Sequence, residues 1–200
     1  MVFLAIGCLA LGTACGLWWF SPELSALFTG NSEKTLWLLM FLVGISVGLN
    51  KSVFQKVKEY HLRVLIIPLS ITAASVAAGF LCAPITGMPL AESVCITSGM
   101  GWYSLTGIML TDLAGAGVGA VAFLGNLMRE MLSFLVIPWI AKHMNHYTAI
   151  APAGATSEDT TLSMLVRYTR EEIVVLAVFN GVLCSAAVPL LIRFFYAALH

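Results

Sequence analysis

Charge is scarce in this chain. Ten basic and ten acidic residues among 200 make 10% charged residues, where a soluble domain carries roughly 25%. Twenty charges cannot wet the surface of a globule this long, whereas lipid removes that need. The two signs cancel, so no net field argues for a nucleic-acid partner. The five cysteines, Cys8, Cys15, Cys82, Cys95 and Cys184, include no CxxC pair, and each lies in an apolar run. That spacing argues against a disulfide framework and a zinc site, and leaves small buried hydrophobes as the reading. His143 and His146 share a loop but supply too few ligands for a metal site, and no cofactor is expected.

Other absences narrow the class further. No positive region precedes the apolar stretch 2–20, so it reads as a retained helix rather than a signal peptide. Alternating segments of about ten residues, the mark of a membrane β-barrel, are missing. There is no HExxH and no Ser-His-Asp arrangement, so an enzyme has no support. Gly115-Ala116-Gly117-Val118-Gly119-Ala120 echoes a dinucleotide fingerprint, but no strand precedes it. Small residues that let helices approach closely explain it better. Asn50-Lys51-Ser52 matches a glycosylation acceptor but falls on the face read below as cytoplasmic.

What the chain has is hydrophobic length: 60% apolar residues and a mean hydropathy of +0.94. Nearly uncharged runs recur near 2–20, 35–50, 62–83, 90–112, 115–141, 148–167 and 173–198. Lipid forces the backbone to satisfy itself, so these runs are expected to be helices. The expected fold is an all-α polytopic membrane protein, one domain over 1–200, with about seven spans. Lys51, Lys56, Lys58, Arg63, Arg167 and Arg170 fall on one side of such an arrangement, and Lys34 and Lys142 on the other. The positive-inside rule then puts the N-terminus in and the C-terminus out. Trp18, Trp19, Trp37 and Trp139 suit interfacial anchors.

Two segments depart from plain spans. Residues 98–107 hold three glycines and three hydroxyl residues, and 152–161 add two carboxylates to a similar mixture. Gly and Pro interrupt a helix ladder and hydroxyls re-satisfy the freed groups, so these read as discontinuous helices. Such helices build substrate sites in secondary transporters; a loop at the membrane surface is the bland alternative.

Intramembrane charge marks candidate site residues, because each ion there costs several kcal/mol unless paired or hydrated. Arg129 and Glu130 lie in the middle of 115–141, pointing about 100° apart. Asn126 and Ser133 extend the face of Glu130 into a polar stripe; a buried ion pair that fixes packing is the structural alternative. Asp159 sits in the second break beside Gly154, Thr156, Ser157 and Thr160. It belongs either to a binding site or to a helix cap opened by Thr156 or Ser157. Glu158 is expected to point elsewhere, nearer solvent. Trp102, Tyr103 and Ser104 adjoin the first break and suit a pocket lining. Glu92 and Asp112 read as surface carboxylates, and Arg193 as a snorkelling cation.

The stretches GMGWYSLTGIMLTD (99–112), FLGNLMREMLSFLVIP (123–138) and GATSEDTTL (154–162), with Asn180-Gly181 and Val188-Pro189, resemble the bacterial lysine exporter family of the LysO type. The resemblance covers about residues 1–198. It implies an inverted-repeat secondary transporter with crossing discontinuous helices in the bacterial cytoplasmic membrane. It also implies L-lysine as substrate, and intramembrane acids at Glu130 and Asp159. Family members begin with a further segment of roughly 100 residues, room for about three helices. A small separate membrane subunit is therefore an expected partner, and a homodimer a further assembly. The mechanism expected is exchange of lysine for H⁺, the broken segment's amides at 154–157 taking the substrate carboxylate. The alternatives are a sodium/proton antiporter or sodium-coupled transporter on the same fold, and a non-transporting membrane subunit.

Overall fold

Glycine placement shapes the first helical hairpin of this computed structural model, which describes residues 7, 11–21, 34, 38, 41, 45 and 65–199. Helix α1 (Ile66–Thr86) ends at Gly87, whose left-handed backbone (φ 71°) returns its N–H to Ala83. This is a glycine C-cap. Pro89 then turns the chain into α2 (Leu90–Thr97). The two helices touch backbone to backbone: a Cβ on Gly79 would lie 2.5 Å from Val94 Cα. The Ser93 hydroxyl donates to the Gly79 carbonyl at 2.8 Å.

A second hairpin follows the break at 98–102. Helix α3 (Tyr103–Ala114) is separated by Gly115 (φ 92°) from α4 (Ala116–His143). A Cβ on Gly119 would fall 2.8 Å from the Gly107 carbonyl oxygen. Of the small residues at 115–120, Gly119 therefore serves close helix packing, whereas a Cβ on Gly115 or Gly117 would meet nothing within 4 Å. After α4 come two 3-10 turns, Thr148–Ile150 and Gly154–Glu158, a short α5 (Leu162–Tyr168), and the long α6 (Glu171–Leu199).

Among the described residues all regular structure is helical, and three helices, α1, α4 and α6, are long and apolar enough to cross a membrane. On α4 two stripes divide the surface. Gly119, Ala122, Asn126, Glu130, Ser133, Ile137 and Ile140 are buried, while Val121, Leu124, Met128, Leu132, Leu135 and Trp139 are exposed. Both recur every three or four residues, the spacing of one helix face. An exposed stripe that is wholly apolar suits contact with lipid. Helix α6 is the most enclosed of the three.

The run expected at 90–112 is two helices with a break between them, and 148–167 is no continuous helix. Helix α5 has seven residues, about 10 Å of length, where a span needs about 30 Å.

The chain divides into two compact units, Met1–Leu49 and Asn50–His200. In the first, 11–14 are helical and lead into a π turn, Cys15–Trp19. Trp18 and Trp19 there are exposed. Trp37, Cys8, most of the span expected at 35–50, and the loop cations Lys51, Lys56, Lys58 and Arg63 lie outside the described residues.

Candidate functional site

The two breaks are stitched to each other. In the first, the backbone leaves the helix through Met100 (φ 48°) and Gly101 (φ 96°). This frees polar groups that a membrane interior cannot hydrate. Asn126 on α4 answers two of them: its Oδ1 accepts from the Gly101 N–H at 2.8 Å, and its Nδ2 donates to the Ile96 carbonyl at 2.9 Å. The Met100 carbonyl accepts from the Ala155 N–H in the second break at 3.0 Å. At that contact Gly154 takes φ 57°, and any Cβ on it would run into the Met100 carbonyl.

Helix α6 holds the second break from behind. Asn180 Nδ2 donates to the Gly154 carbonyl (2.9 Å) and the Ser157 hydroxyl (3.0 Å), and Ser157 donates to the Ala177 carbonyl (2.8 Å). Gly181 lets the segment lie flat on α6, since a Cβ there would come within 2.6 Å of Glu158. From α4, Ser133 donates to the Pro152 carbonyl at 2.8 Å. Inside the segment Thr156 donates to the Ala153 carbonyl, and the Thr156 and Thr161 hydroxyls meet at 3.2 Å.

This arrangement carries two oppositely charged side chains from α4. Glu130 is 1% exposed. Its Oε1 accepts from the Thr160 hydroxyl, and its Oε2 is buried without a hydrogen-bond partner. The carboxylate of Asp159 lies within electrostatic range of Glu130 and of the Tyr103 phenol at the start of α3. Arg129 turns to α1, where its Nη1 donates to the Ser75 hydroxyl at 3.0 Å. It lines a cavity of about 630 Å³ with Ser70, Ser75, Thr97 and Asn126. Arg129 thus shares a cavity with the last residue of α2, and the acids gather near the first of α3, the signs that helix ends favour.

Among the expected site residues, Glu130, Asn126, Arg129, Gly154, Thr156, Ser157, Thr160 and Tyr103 meet in this stitched region. Trp102 is half-buried and anchors α3 by accepting from Thr106 at 2.7 Å. Tyr103 packs edge-on against Phe123. Ser104 is half-buried and makes no hydrogen bond among the described residues.

Four expectations need correction. Asp159 is exposed while Glu158 is the half-buried acid, accepting from Ser185 at 3.1 Å. Thr156 and Ser157 do not cap a helix. They lie inside a 3-10 turn, and α5 begins only at Leu162 with no side-chain cap. The amides of Ala155 and Thr156 are also already engaged, by the Met100 and Ala153 carbonyls, so neither is free for a substrate carboxylate. Glu92 is half-buried rather than at the surface, whereas Asp112 is exposed. Asn180 and Ser185 escaped notice as site residues, although lone polar groups in an apolar span are a signal in themselves.

Comparisons with known proteins converge. The chain matches the family described as lysine exporter LysO over residues 6–196. It is 37% identical over 169 residues to the lysine exporter LysO of Escherichia coli, covering 84% of this chain and 56% of that protein. It is 32% identical over 187 residues to a Haemophilus influenzae protein whose name assigns it provisionally to lysine export, covering 94% of this chain and 92% of that protein. The chain therefore spans little more than half the length of the first relative and nearly all of the second. No solved structure matches it.

Proposed function

This chain belongs to the lysine exporter LysO family, and we propose that it is a secondary exporter of L-lysine and related basic amino acids, driven by exchange for protons across the bacterial cytoplasmic membrane. Glu130 carries this reading. It is a fully buried carboxylate with one oxygen held by Thr160 and the other unpartnered. A carboxyl so placed is satisfied by a proton or by a bound cation, and alternation between the two is the elementary step of cation–proton exchange. Lysine brings two ammonium groups, and Asp159, exposed beside Glu130, is placed to take the second.

The stitched breaks supply the frame. Irregular backbone at membrane depth survives only where protein or a cavity satisfies it, and here α4 and α6 do so through Asn126, Ser133 and Asn180. Two broken segments joined by a backbone hydrogen bond move as one piece, so the acids can be presented to either side without dismantling their support. With the basic loops inside, the N-terminus is cytoplasmic and the C-terminus is not.

One observation favours a second coupling ion. The Thr160 hydroxyl meets Glu130, the Thr156 and Thr161 hydroxyls meet each other in the same segment, and hard cations take oxygen ligands, so Na⁺ suits such oxygens too. Lysine counterflow that requires a sodium gradient rather than a pH gradient decides for sodium.

The function itself is tested by growth on a toxic lysine analogue. Cells carrying the chain are expected to gain resistance, and Glu130→Gln and Asp159→Asn to lose it. Resistance retained by both variants at normal expression sinks this mechanism.

A further inference from the structure

The Arg129 guanidinium has five N–H donors, yet it makes one hydrogen bond, to the neutral Ser75 hydroxyl, and pairs with no carboxylate among the described residues. A half-buried cation left so within a membrane-embedded chain calls for an anion. The space beside it can hold one. The cavity of about 630 Å³ lies within the range of ligand sites, roughly 300–1,000 Å³, and reaches the surface at Ser70 and Ala74. Ser70, Ser75, Thr97 and Asn126 line it with polar groups, Ser75 in contact with the guanidinium, and Ile71, Ala74 and Ala78 form an apolar wall. Among the described residues no acidic one lines it.

We propose that this cavity is the subsite for the carboxylate of the transported amino acid, and that Arg129 is the residue that recognises it. The inference rests on the export reading above and gives that reading its specificity. A planar guanidinium matches a carboxylate bidentately, while the apolar wall suits an aliphatic stem. The division of labour follows from α4: adjacent residues project about 100° apart, so the same helix offers a cation to the carboxylate and an anion to the ammonium. The Ala155 and Thr156 amides are already engaged, and the guanidinium has donors to spare. Gly154 leaves room for the guanidinium, since a Cβ there would sit 3.2 Å from Arg129 Nη2.

The probe is lysinamide, which keeps both amino groups and lacks the carboxylate. Binding is read as ligand-dependent thermal stabilisation of the purified full chain in detergent. The wild-type protein is expected to bind lysine at least about tenfold more tightly than lysinamide, the scale of one charge-assisted pair. In Arg129→Gln the two ligands bind alike. Arg129→Lys, which keeps the charge but not the fork, falls between. Equal binding of the two ligands by the wild type overturns the proposal, as does a lysine preference that survives in Arg129→Gln. Should Arg129→Gln fail to fold, the wild-type comparison stands by itself, and Ser75→Ala must still favour lysine. A wild type that binds neither ligand contradicts the export reading itself, whereas one that binds both equally contradicts only the carboxylate subsite.

Discussion

The two breaks solve one problem with different chemistry. At 98–102 an amide side chain from another helix, Asn126, meets the Gly101 N–H, and the break itself is uncharged. At 152–161 the segment winds into a 3-10 turn held by serine and threonine hydroxyls and by Asn180, and it carries Glu158 and Asp159. The first break reads as a fixed wall and the second as the part that meets ions. A neutral partner backs the charged segment, and the Ala155–Met100 hydrogen bond joins the two into one piece.

The comparison is most readily broken at the contact itself. Gly154→Ala adds a Cβ at φ 57° against the Met100 carbonyl. It combines a left-handed penalty of about 1–2 kcal/mol with a backbone clash. A large fall in thermal midpoint of the purified protein is expected, with loss of transport. An unchanged midpoint would mean that the breaks are not stitched there.

Next come the two asparagines, which should not be equivalent. Asn126→Leu strands the Gly101 N–H, at about 1–3 kcal/mol for a buried group, while the Ile96 carbonyl still accepts from the Gly99 N–H at 3.2 Å. Asn180→Leu costs less, because the Ser157 hydroxyl proton, shared between the Ala177 and Gly154 carbonyls, can still serve Gly154 at 2.9 Å. Denaturation of both variants side by side should rank them in that order. The reverse order would place the structural wall at the second break.

A smaller effect is expected from Thr160→Val, which removes the hydroxyl from Glu130 without touching either stitch. Transport should fall by about tenfold, in keeping with one hydrogen bond to a charged group, while the thermal midpoint moves little. The smallest change belongs to Ser185→Ala. One hydroxyl proton serves both Glu158 (3.1 Å) and the Ala155 carbonyl (3.4 Å), both at long range, and lysine export should stay within about twofold of wild type.

Much of the frame was legible before any coordinates. The polar stripe of Asn126, Glu130 and Ser133 follows from helical spacing, which holds because α4 is an uninterrupted helix. Both breaks were visible as glycines and hydroxyls inside apolar runs. The choice between Glu158 and Asp159 was not legible, for a physical reason. The 3-10 turn ends at Glu158, and Asp159 departs at φ −123°, ψ −106°, so the 100° step that orders side chains on an α-helix has no meaning there. Nor can local spacing bring Asn180 to Gly154 across 26 residues, or Arg129 to Ser75 across 54. Those contacts exist only once α1, α4 and α6 are packed.

Exchange of labelled lysine in membrane vesicles carrying Glu130→Gln is the most direct test of the claim that this carboxylate carries the coupled charge. With membrane protein content matched to wild type, the account predicts that exchange is abolished with and without an imposed pH gradient. Exchange at the wild-type rate would contradict it.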